Sequence, residues 1–367
     1  MNRFCIALAL LLATFQVSAQ TAQVPEVLQG LGLREHQVAS RDMPGWAPPK
    51  KVVVRNVFGD SSAALRSVAP DVEIVAVDSL DAARAAMPGA QVLIGYCSQD
   101  LFDAADELHW VQVYFAGVEN CVGLPAFAGS DRLLTNGQRL GSPTLADHAI
   151  ALMMAQTRGL AGHIISQQRG AWEPNWDQPP PPMGEVAGNT LLVVGLGGIG
   201  TQVAKRAHGL GMRVIATRNS RREGPDYVDY VGLADEVWEL AKQADVVVNA
   251  APLTDSTRGL FDEKFFKAMK PTAYFISVGR GKSTVTADLI KALETGQIAG
   301  AALDVTDPEP LPEGHPLWTA PNLIITPHVA GRSQEALGRI QALVAENLRR
   351  YVAGEPLLSV VNIERGY

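Results

Sequence analysis

Short runs of apolar residues alternate with segments of helical composition along most of the chain. In the first part of the chain these apolar runs occupy residues 51–58, 72–77, 91–96, 110–115 and 133–136. The segments at 63–69 and 82–87, which lie between the runs, have the composition of helices. Continuous short apolar runs separated by helical segments are typical of a parallel sheet that is covered on both faces.

The same alternation begins again after a long apolar segment at residues 144–157, which predicts a buried helix. The second set of apolar runs occupies residues 191–194, 212–216, 246–249, 273–278, 300–305 and 323–326. An amphipathic segment at 333–352 predicts a long final helix that could return to the first domain. We therefore predict an α/β protein with two doubly wound parallel-sheet domains.

The order of elements also predicts the domain boundaries. Residues 20–49 are weakly patterned and punctuated by Pro and Gly, so we interpret them as a linker or a wrapped extension. The first domain would take residues 50–143 and the second would take 144–330, while 331–367 would return to the first. The length of 367 residues suits two domains of ordinary size.

Composition and charge narrow the class of protein. Hydrophobic residues make up 47% of the chain and charged residues 19%, which excludes a globally disordered protein. The formal net charge of -7 argues against a dedicated partner of nucleic acid or of an anionic membrane, because such proteins carry a basic surface.

The N-terminus resembles a secretory signal peptide at residues 1–19. Arg3 gives a positive start, residues 4–15 are apolar, and small residues precede a cleavage position before Gln20. The apolar run is too short to span a bilayer as a stable helix. The signal predicts an exported, periplasmic protein. The alternative is initiation at Met43, which would give a cytoplasmic protein.

Three cysteines are present, and none has the spacing of a metal site. Cys5 lies in the apolar N-terminal run, which leaves Cys97 and Cys121. We interpret these two as buried or half-buried thiols. A disulfide between them is possible only if the chain is exported. No metal is expected.

A glycine-rich turn follows the first apolar run of the second domain. The turn has the spacing G-x-G-x-x-G and contains Gly195, Gly197, Gly198, Ile199 and Gly200. The first glycine permits the tight turn, the second lets the backbone approach a pyrophosphate, and the third lets helix and strand pack closely. The helix that follows offers free N–H groups to that anion. The sequence therefore predicts a dinucleotide site.

The end of the next strand indicates which dinucleotide is preferred. A site for NAD normally has an acidic residue there, but here Arg218 stands in that place, followed by Asn219 and Ser220 and by Arg221 and Arg222. Arginine supplies the multidentate cationic donors that a 2′-phosphate needs. We predict a preference for NADP over NAD. The alternative is that these residues form a solvated basic loop.

Four further polar segments come at the ends of later predicted strands. They begin at Ala250, Ser277, Ala302 and Thr326, and they contain Pro252, Thr254, Val278, Gly279, Arg280, Asp304, Glu309, His328 and Gly331. Ligands of open α/β sheets bind at the carboxyl ends of the strands, so these segments predict a site at one edge.

Together these motifs closely resemble the D-isomer-specific 2-hydroxyacid dehydrogenase family, which includes glyoxylate/hydroxypyruvate reductases. The resemblance covers essentially all of residues 51–362. It implies a flavodoxin-like substrate domain, a Rossmann cofactor domain and a cleft between them. The activity it implies is NAD(P)-dependent interconversion of a small 2-keto acid and its D-2-hydroxy acid. It also implies a homodimer through the region 144–157.

The resemblance also implies roles for individual residues. Arg280 would bind the substrate carboxylate, for which its planar fork is suited. His328 would be the acid/base, held and favoured in its protonated form by Glu309. The loop with Ala116 and Gly117 would offer backbone N–H groups to the same carboxylate.

Asp304 would accept a hydrogen bond from the nicotinamide carboxamide. Further positions would line the cofactor: Pro252, Thr254, Val278, Gly279, Arg280, His328 and Gly331.

Alternatives stay open at each position. Arg280 alone could be a structural ion-pair partner, His328 a core histidine and Glu309 a surface turn residue. The whole chain could be a non-catalytic nucleotide-sensing adaptor or a phosphite-type dehydrogenase. Thr306 stands where the family usually has an aromatic residue. Export as an unfolded chain would also leave the cofactor behind, so the signal and the predicted active site conflict.

Overall fold

The computed structural model describes residues 24–57, 62–172, 184–364 and 366. The predicted signal peptide, residues 1–19, lies outside them. Within the described residues no helix is both long and apolar enough to cross a membrane.

The first sheet has five parallel strands, arranged in the order β2-β1-β3-β4-β5. The strands are β1 (Lys51–Arg55), β2 (Glu73–Val77), β3 (Val92–Ile94), β4 (Trp110–Gln112) and β5 (Leu133–Thr135). The helices between them are α1 (Ser62–Val68), α2 (Leu80–Ala86), α3 (Gln99–Asp103) and α4 (Glu119–Val122). This strand order is the flavodoxin-like order of a doubly wound sheet.

The second sheet has seven parallel strands, arranged in the order β12-β11-β10-β9-β6-β7-β8. The strands are β6 (Thr190–Val194), β7 (Arg213–Arg218), β8 (Tyr230–Leu233), β9 (Val246–Asn249), β10 (Tyr274–Ser277), β11 (Gly300–Leu303) and β12 (Leu323–Ile325). The order reverses between β6 and β9, as in a Rossmann fold. The predicted fold class, two doubly wound parallel-sheet domains, is confirmed.

The helices of the second part of the chain cover this sheet and return to the first. They are α5 (Ser142–Thr157), α6 (Leu160–Gln168), α7 (Gly198–Gly209), α8 (Val237–Ala241), α9 (Glu263–Ala268), α10 (Thr286–Glu294) and α11 (Gln334–Ala353). Helix α5 packs on α7, while α11 packs on α1 of the first sheet. Strand β8 and helix α6 were not predicted from the sequence.

Residues 24–49 are docked on the molecule by both apolar and polar contacts. Leu28 is buried in a cluster with Leu140, Leu343 and Leu358. Arg41 donates from Nη2 to the carbonyl of Ala353 at 2.8 Å. Because Leu140 precedes α5 and Leu343 lies on α11, the segment lies over both connections between the domains. We name residues 24–49 the N-terminal extension.

Cys97 and Cys121 form a disulfide, with their Cα atoms 5.7 Å apart. The interpretation of these residues as two separate thiols was therefore wrong. Cys97 follows β3, and Cys121 lies on α4 directly after the loop that contains Ala116 and Gly117. The disulfide thus ties that loop to the neighbouring strand end.

Candidate functional site

The predicted site residues lie at the carboxyl edge of the second sheet. Arg280 follows β10, Asp304 and Glu309 follow β11, and His328 follows β12. These three strands are consecutive neighbours in the sheet. Parallel pairing places all their carboxyl ends at one edge, so segments distant in the sequence meet there.

The glycine turn has the backbone geometry that its sequence predicts. Gly195 has a φ of 95°, and a Cβ atom there would lie 2.7 Å from the Cα of Ala251. A Cβ atom at Gly200 would overlap the carbonyl oxygen of Gly195. Gly198 and Ile199 open α7 beyond this turn. Because these glycines carry no side chains, the backbone N–H groups at the N-terminus of α7 stay accessible. Such an arrangement fits the pyrophosphate of a dinucleotide.

A cavity of about 340 Å³ lies beside the glycine turn. Its walls include Thr217, Arg218, Asn219, Pro252 and Thr254. Four of these, Arg218, Asn219, Pro252 and Thr254, are predicted cofactor residues, and they come from the ends of two separate strands and the loops after them. The cavity fits the adenosine end of a dinucleotide, because ligand pockets are concave and mostly apolar with a few polar groups.

Arg218 lies at the end of β7 with its Nε atom buried and without a hydrogen-bond partner among the described residues. Burial, and then the charge of Arg221, lowers the pKa of the Arg218 guanidinium. Buried polar groups are normally satisfied, so an orphaned donor at a cavity wall fits an anionic ligand. Arg222, by contrast, forms an ion pair with Glu236 at 2.7 Å.

The remaining predicted cofactor positions divide into buried and exposed ones. Val278 and Gly279 are buried directly after β10. Asn219 and Ser220 are exposed. Gly331, which is half-buried, lies near Gly141 before α5.

His328 and Glu309 form a pair, with His328 Nδ1 2.5 Å from Glu309 Oε1. Because a carboxylate accepts, Nδ1–H donates, and Nε2 is left for another proton acceptor or donor. Both side chains are partly exposed, at 48% and 39%. The pair therefore combines a proton carrier with an orienting carboxylate, at the same edge of the sheet as the glycine turn.

The loop that carries His328 is held by the buried Asp304. The Oδ1 atom of Asp304 accepts from Thr326 Oγ1 at 2.6 Å and from Val329 N at 3.0 Å, and Oδ2 accepts from Ala330 N at 3.0 Å. His328 itself has a φ of 53°, a conformation that few non-glycine residues adopt. Asp304 thus fixes the backbone of the histidine loop, and its contact with a nicotinamide stays a prediction.

Arg280 faces the first domain and pairs with a carboxylate there. Its Nε atom donates to Glu119 Oε1 at 2.9 Å, and Nη1 donates to the carbonyl of Gly279 at 3.0 Å. A Cβ atom at Gly117 would collide with Nη2. Asn136 holds the loop by donating to the carbonyl of Ala116 at 2.7 Å. The predicted carboxylate-binding elements of both domains therefore meet.

Several residues of the site were missed from the sequence. Glu119 follows the loop of Ala116 and Gly117, and its acidity alone gave no indication of a contact 161 positions away. Arg139 and Arg34, which lie near Gly198 and Arg218, belong to no motif.

Comparison with known proteins gives consistent matches. The model of the family described as D-isomer specific 2-hydroxyacid dehydrogenase, NAD binding domain, matches residues 150–330. The glyoxylate reductase of Korarchaeum cryptofilum is 36% identical over 269 residues, which cover 72% of this chain and 79% of that protein. The human glyoxylate reductase/hydroxypyruvate reductase is 33% identical, covering 64% of this chain and 73% of that protein.

Solved structures resemble the whole two-domain arrangement. A D-isomer specific 2-hydroxyacid dehydrogenase from Xanthobacter autotrophicus, in complex with NADPH and MES, is 26% identical with a TM-score of 0.74 and covers 87% of this chain and 100% of its own. An NADPH-dependent glyoxylate/hydroxypyruvate reductase from Sinorhizobium meliloti, in complex with NADP and sulfate, is 26% identical with a TM-score of 0.73 and has the same coverage.

Proposed function

We propose that this chain, which belongs to the D-isomer-specific 2-hydroxyacid dehydrogenase family, is an NADPH-preferring reductase of glyoxylate, hydroxypyruvate or a 2-keto acid of similar size. Its class, an oxidoreductase that uses NAD(P) and acts on 2-hydroxy acids, follows from the family. The cofactor preference and the substrate are the proposed parts. The observation that supports them is that Arg280, Glu309 and His328 follow neighbouring strands at the same edge of the sheet as the glycine turn and Arg218.

The substrate carboxylate would bind between the domains. Arg280 already binds a carboxylate, that of Glu119, across the interdomain gap. The side chain is 32% exposed, so a small acid can reach it. The backbone at Gly117 lies against the same guanidinium. A short 2-keto acid held in this way presents its carbonyl oxygen toward the histidine loop.

His328 would then supply the proton. Glu309 accepts from Nδ1–H and fixes the orientation of the ring, so that a proton on Nε2 can be donated to the carbonyl oxygen. When bound, the nicotinamide supplies the hydride that reduces the carbonyl carbon. Closure of the domains around Arg280 and Glu119 would exclude water from this step.

The preference for NADPH is supported by the arginine at the end of β7. Arg218 replaces the carboxylate that binds a ribose 2′-hydroxyl, and its buried Nε lacks a partner among the described residues. Arg221 adds a second positive charge close by. The relatives from Xanthobacter and Sinorhizobium bind NADPH or NADP. Those observations favour NADP(H) for this chain.

We also propose export and a homodimer. Export is supported by the signal-like residues 1–19 and by the disulfide of Cys97 and Cys121, a bond typical of oxidising compartments. The homodimer is supported by an apolar surface on α6, where Leu160, Ile164 and Ile165 are each about half exposed. Helix α5, through which the family resemblance implies the dimer, packs mostly against α7 and its own sheet.

The activity is tested by measuring NADPH oxidation with glyoxylate and with hydroxypyruvate. We expect turnover with at least one of them, and His328→Ala should lower kcat by about 10²- to 10⁴-fold, because the proton donor is lost. His208→Ala is the matched control, because this histidine is exposed on α7 and should leave kcat unchanged. A wild-type protein that binds NADPH but consumes none with any small keto acid would instead be a nucleotide sensor.

A further inference from the structure

The N-terminal extension brings a cationic side chain toward the cofactor turn. Leu31 and Gly32 lie directly on Arg139, whose Nη1 donates to the Leu31 carbonyl at 3.3 Å. A Cβ atom at Gly32 would lie 2.9 Å from that same Nη1. Arg34 follows two residues later, and its carbonyl accepts from Ser359 N at 2.9 Å. The extension is therefore fixed on both sides of Arg34.

Arg139 itself lies on the glycine turn. A Cβ atom at Gly198 would lie 3.0 Å from Arg139 Cγ and 3.7 Å from its Cα. Gly198 is the first residue of α7, at the helix end that fits a pyrophosphate. Arg139 has a φ of 70°, so the backbone turns sharply to place it there. Arg139, which lies in the connection between the domains, is therefore next to the proposed phosphate position.

Four guanidinium groups, those of Arg34, Arg139, Arg218 and Arg221, are close enough for their charges to influence one another. The pKa of Arg139 is lowered by burial and by the charges of Arg34, Arg218 and Arg221. The pKa of Arg218 is lowered by burial, Arg221 and Arg34, while Glu223 raises it. Among the described residues none of the four forms an ion pair with a carboxylate. Because like charges repel, a cluster of four guanidinium groups is stabilised by binding anions.

We propose that Arg34 of the N-terminal extension and Arg139 bind the phosphate groups of the dinucleotide, together with Arg218 and Arg221. The proposal rests on the proposed cofactor site but assigns to it a residue outside both sheet domains. A dinucleotide with a 2′-phosphate carries three phosphate groups within the reach of such a cluster. Arginine is suited to them because its fork donates in a bidentate manner.

The proposal explains why the extension is docked over the domain connections. Leu28 and its apolar neighbours hold the segment, and Glu35 pairs with Arg350 at 2.8 Å. These contacts lie immediately before and after the segment 31–34. Because the backbone on both sides of Arg34 is already held, only its side chain needs to be ordered when a phosphate binds, which favours affinity.

The test is the dissociation constant of NADPH and of NADH for the full chain, measured from nucleotide fluorescence. Arg34→Gln should weaken NADPH binding about fivefold, because an exposed ion pair with a phosphate is lost. Arg34→Lys should restore part of the affinity. Arg84→Gln, an exposed arginine on α2, is the matched control and should change nothing.

Comparing NADPH with NADH distinguishes the 2′-phosphate, which only NADPH carries, from the pyrophosphate, which both carry. Weaker binding of both would assign Arg34 to the pyrophosphate, and weaker binding of NADPH alone would assign it to the 2′-phosphate; either result supports the proposal. Unchanged affinity for both nucleotides in Arg34→Gln overturns it. A wild-type chain that binds neither nucleotide would instead refute the proposed function. An unchanged melting temperature of Arg34→Gln excludes an effect of misfolding.

Discussion

Arg218 and Arg222 are separated by only three residues, but their surroundings differ. Arg218 is half-buried at the cavity wall and its Nε lacks a partner among the described residues. Arg222 is bound by Glu236 and by Tyr230, whose hydroxyl accepts from Nη1 at 3.0 Å. From the sequence alone, both arginines belong to one basic loop. The structure assigns only the first to the cavity wall.

Substitution of these two residues tests the cofactor preference. Arg218→Asp should raise the Kd of NADPH roughly thirtyfold and change that of NADH much less, because a cation facing the 2′-phosphate becomes an anion. Arg222→Ala is the matched control, and its effect on either nucleotide should be small. Equal losses for NADPH and NADH in Arg218→Asp would contradict this role of Arg218.

At the scale of elements, the disulfide joins α4 to the segment after β3 and thereby holds the loop of Ala116 and Gly117. If the chain is exported, the native protein should begin at Gln20 and contain this bond. Intact mass measured on the native protein should rise by two hydrogens on reduction. The variant Cys97→Ser should leave Cys121 open to alkylation after denaturation. A chain that begins at Met43 with two free thiols would contradict export.

Helices and strands with a clear pattern of apolar residues could be predicted from the sequence, whereas short or polar ones could not. Strand β6 and the glycine turn were predicted because five buried residues run directly into a defined spacing of glycines. Strand β8 was missed because it has four residues, one of them Gly232, and lies at the sheet edge. Edge strands are short and only partly buried, so they carry a weak apolar signal.

The candidate site was predicted to the extent that motifs at strand ends define it. Arg280, Glu309 and His328 each follow a recognisable strand, and parallel pairing brings such ends together. Glu119, Arg139 and Arg34 depend on how the two domains and the extension are arranged. That arrangement is set by long-range packing, for which no local pattern exists.

The whole molecule presents an apolar surface on α6 that we propose to be covered by a second copy. In solution the protein should have a mass about twice that of the 39.2 kDa chain, less any cleaved signal. Replacing Ile164 and Ile165 with Glu should shift the protein to a monomer, because charges are excluded from apolar interface cores. Light scattering after size-exclusion chromatography measures the mass of the protein and of the variant in solution.

Leu80→Glu, at another exposed leucine, provides the control and should leave the mass unchanged. A monomeric wild-type protein, or a dimer that persists in the Ile164 and Ile165 variant, would disprove this interface.

Helix α11 completes the core of the first domain. Tyr351 packs on Trp110 of β4 with ring centroids 5.0 Å apart, and Asn347 donates to the buried Gln112 at 2.9 Å. During synthesis the five strands of this sheet leave the ribosome some two hundred residues before that helix. The first domain therefore stays incomplete until translation is nearly finished, while the second has all its strands earlier. A chain released before residue 334 would expose Trp110 and its neighbours, and chaperones and proteases would recognise it.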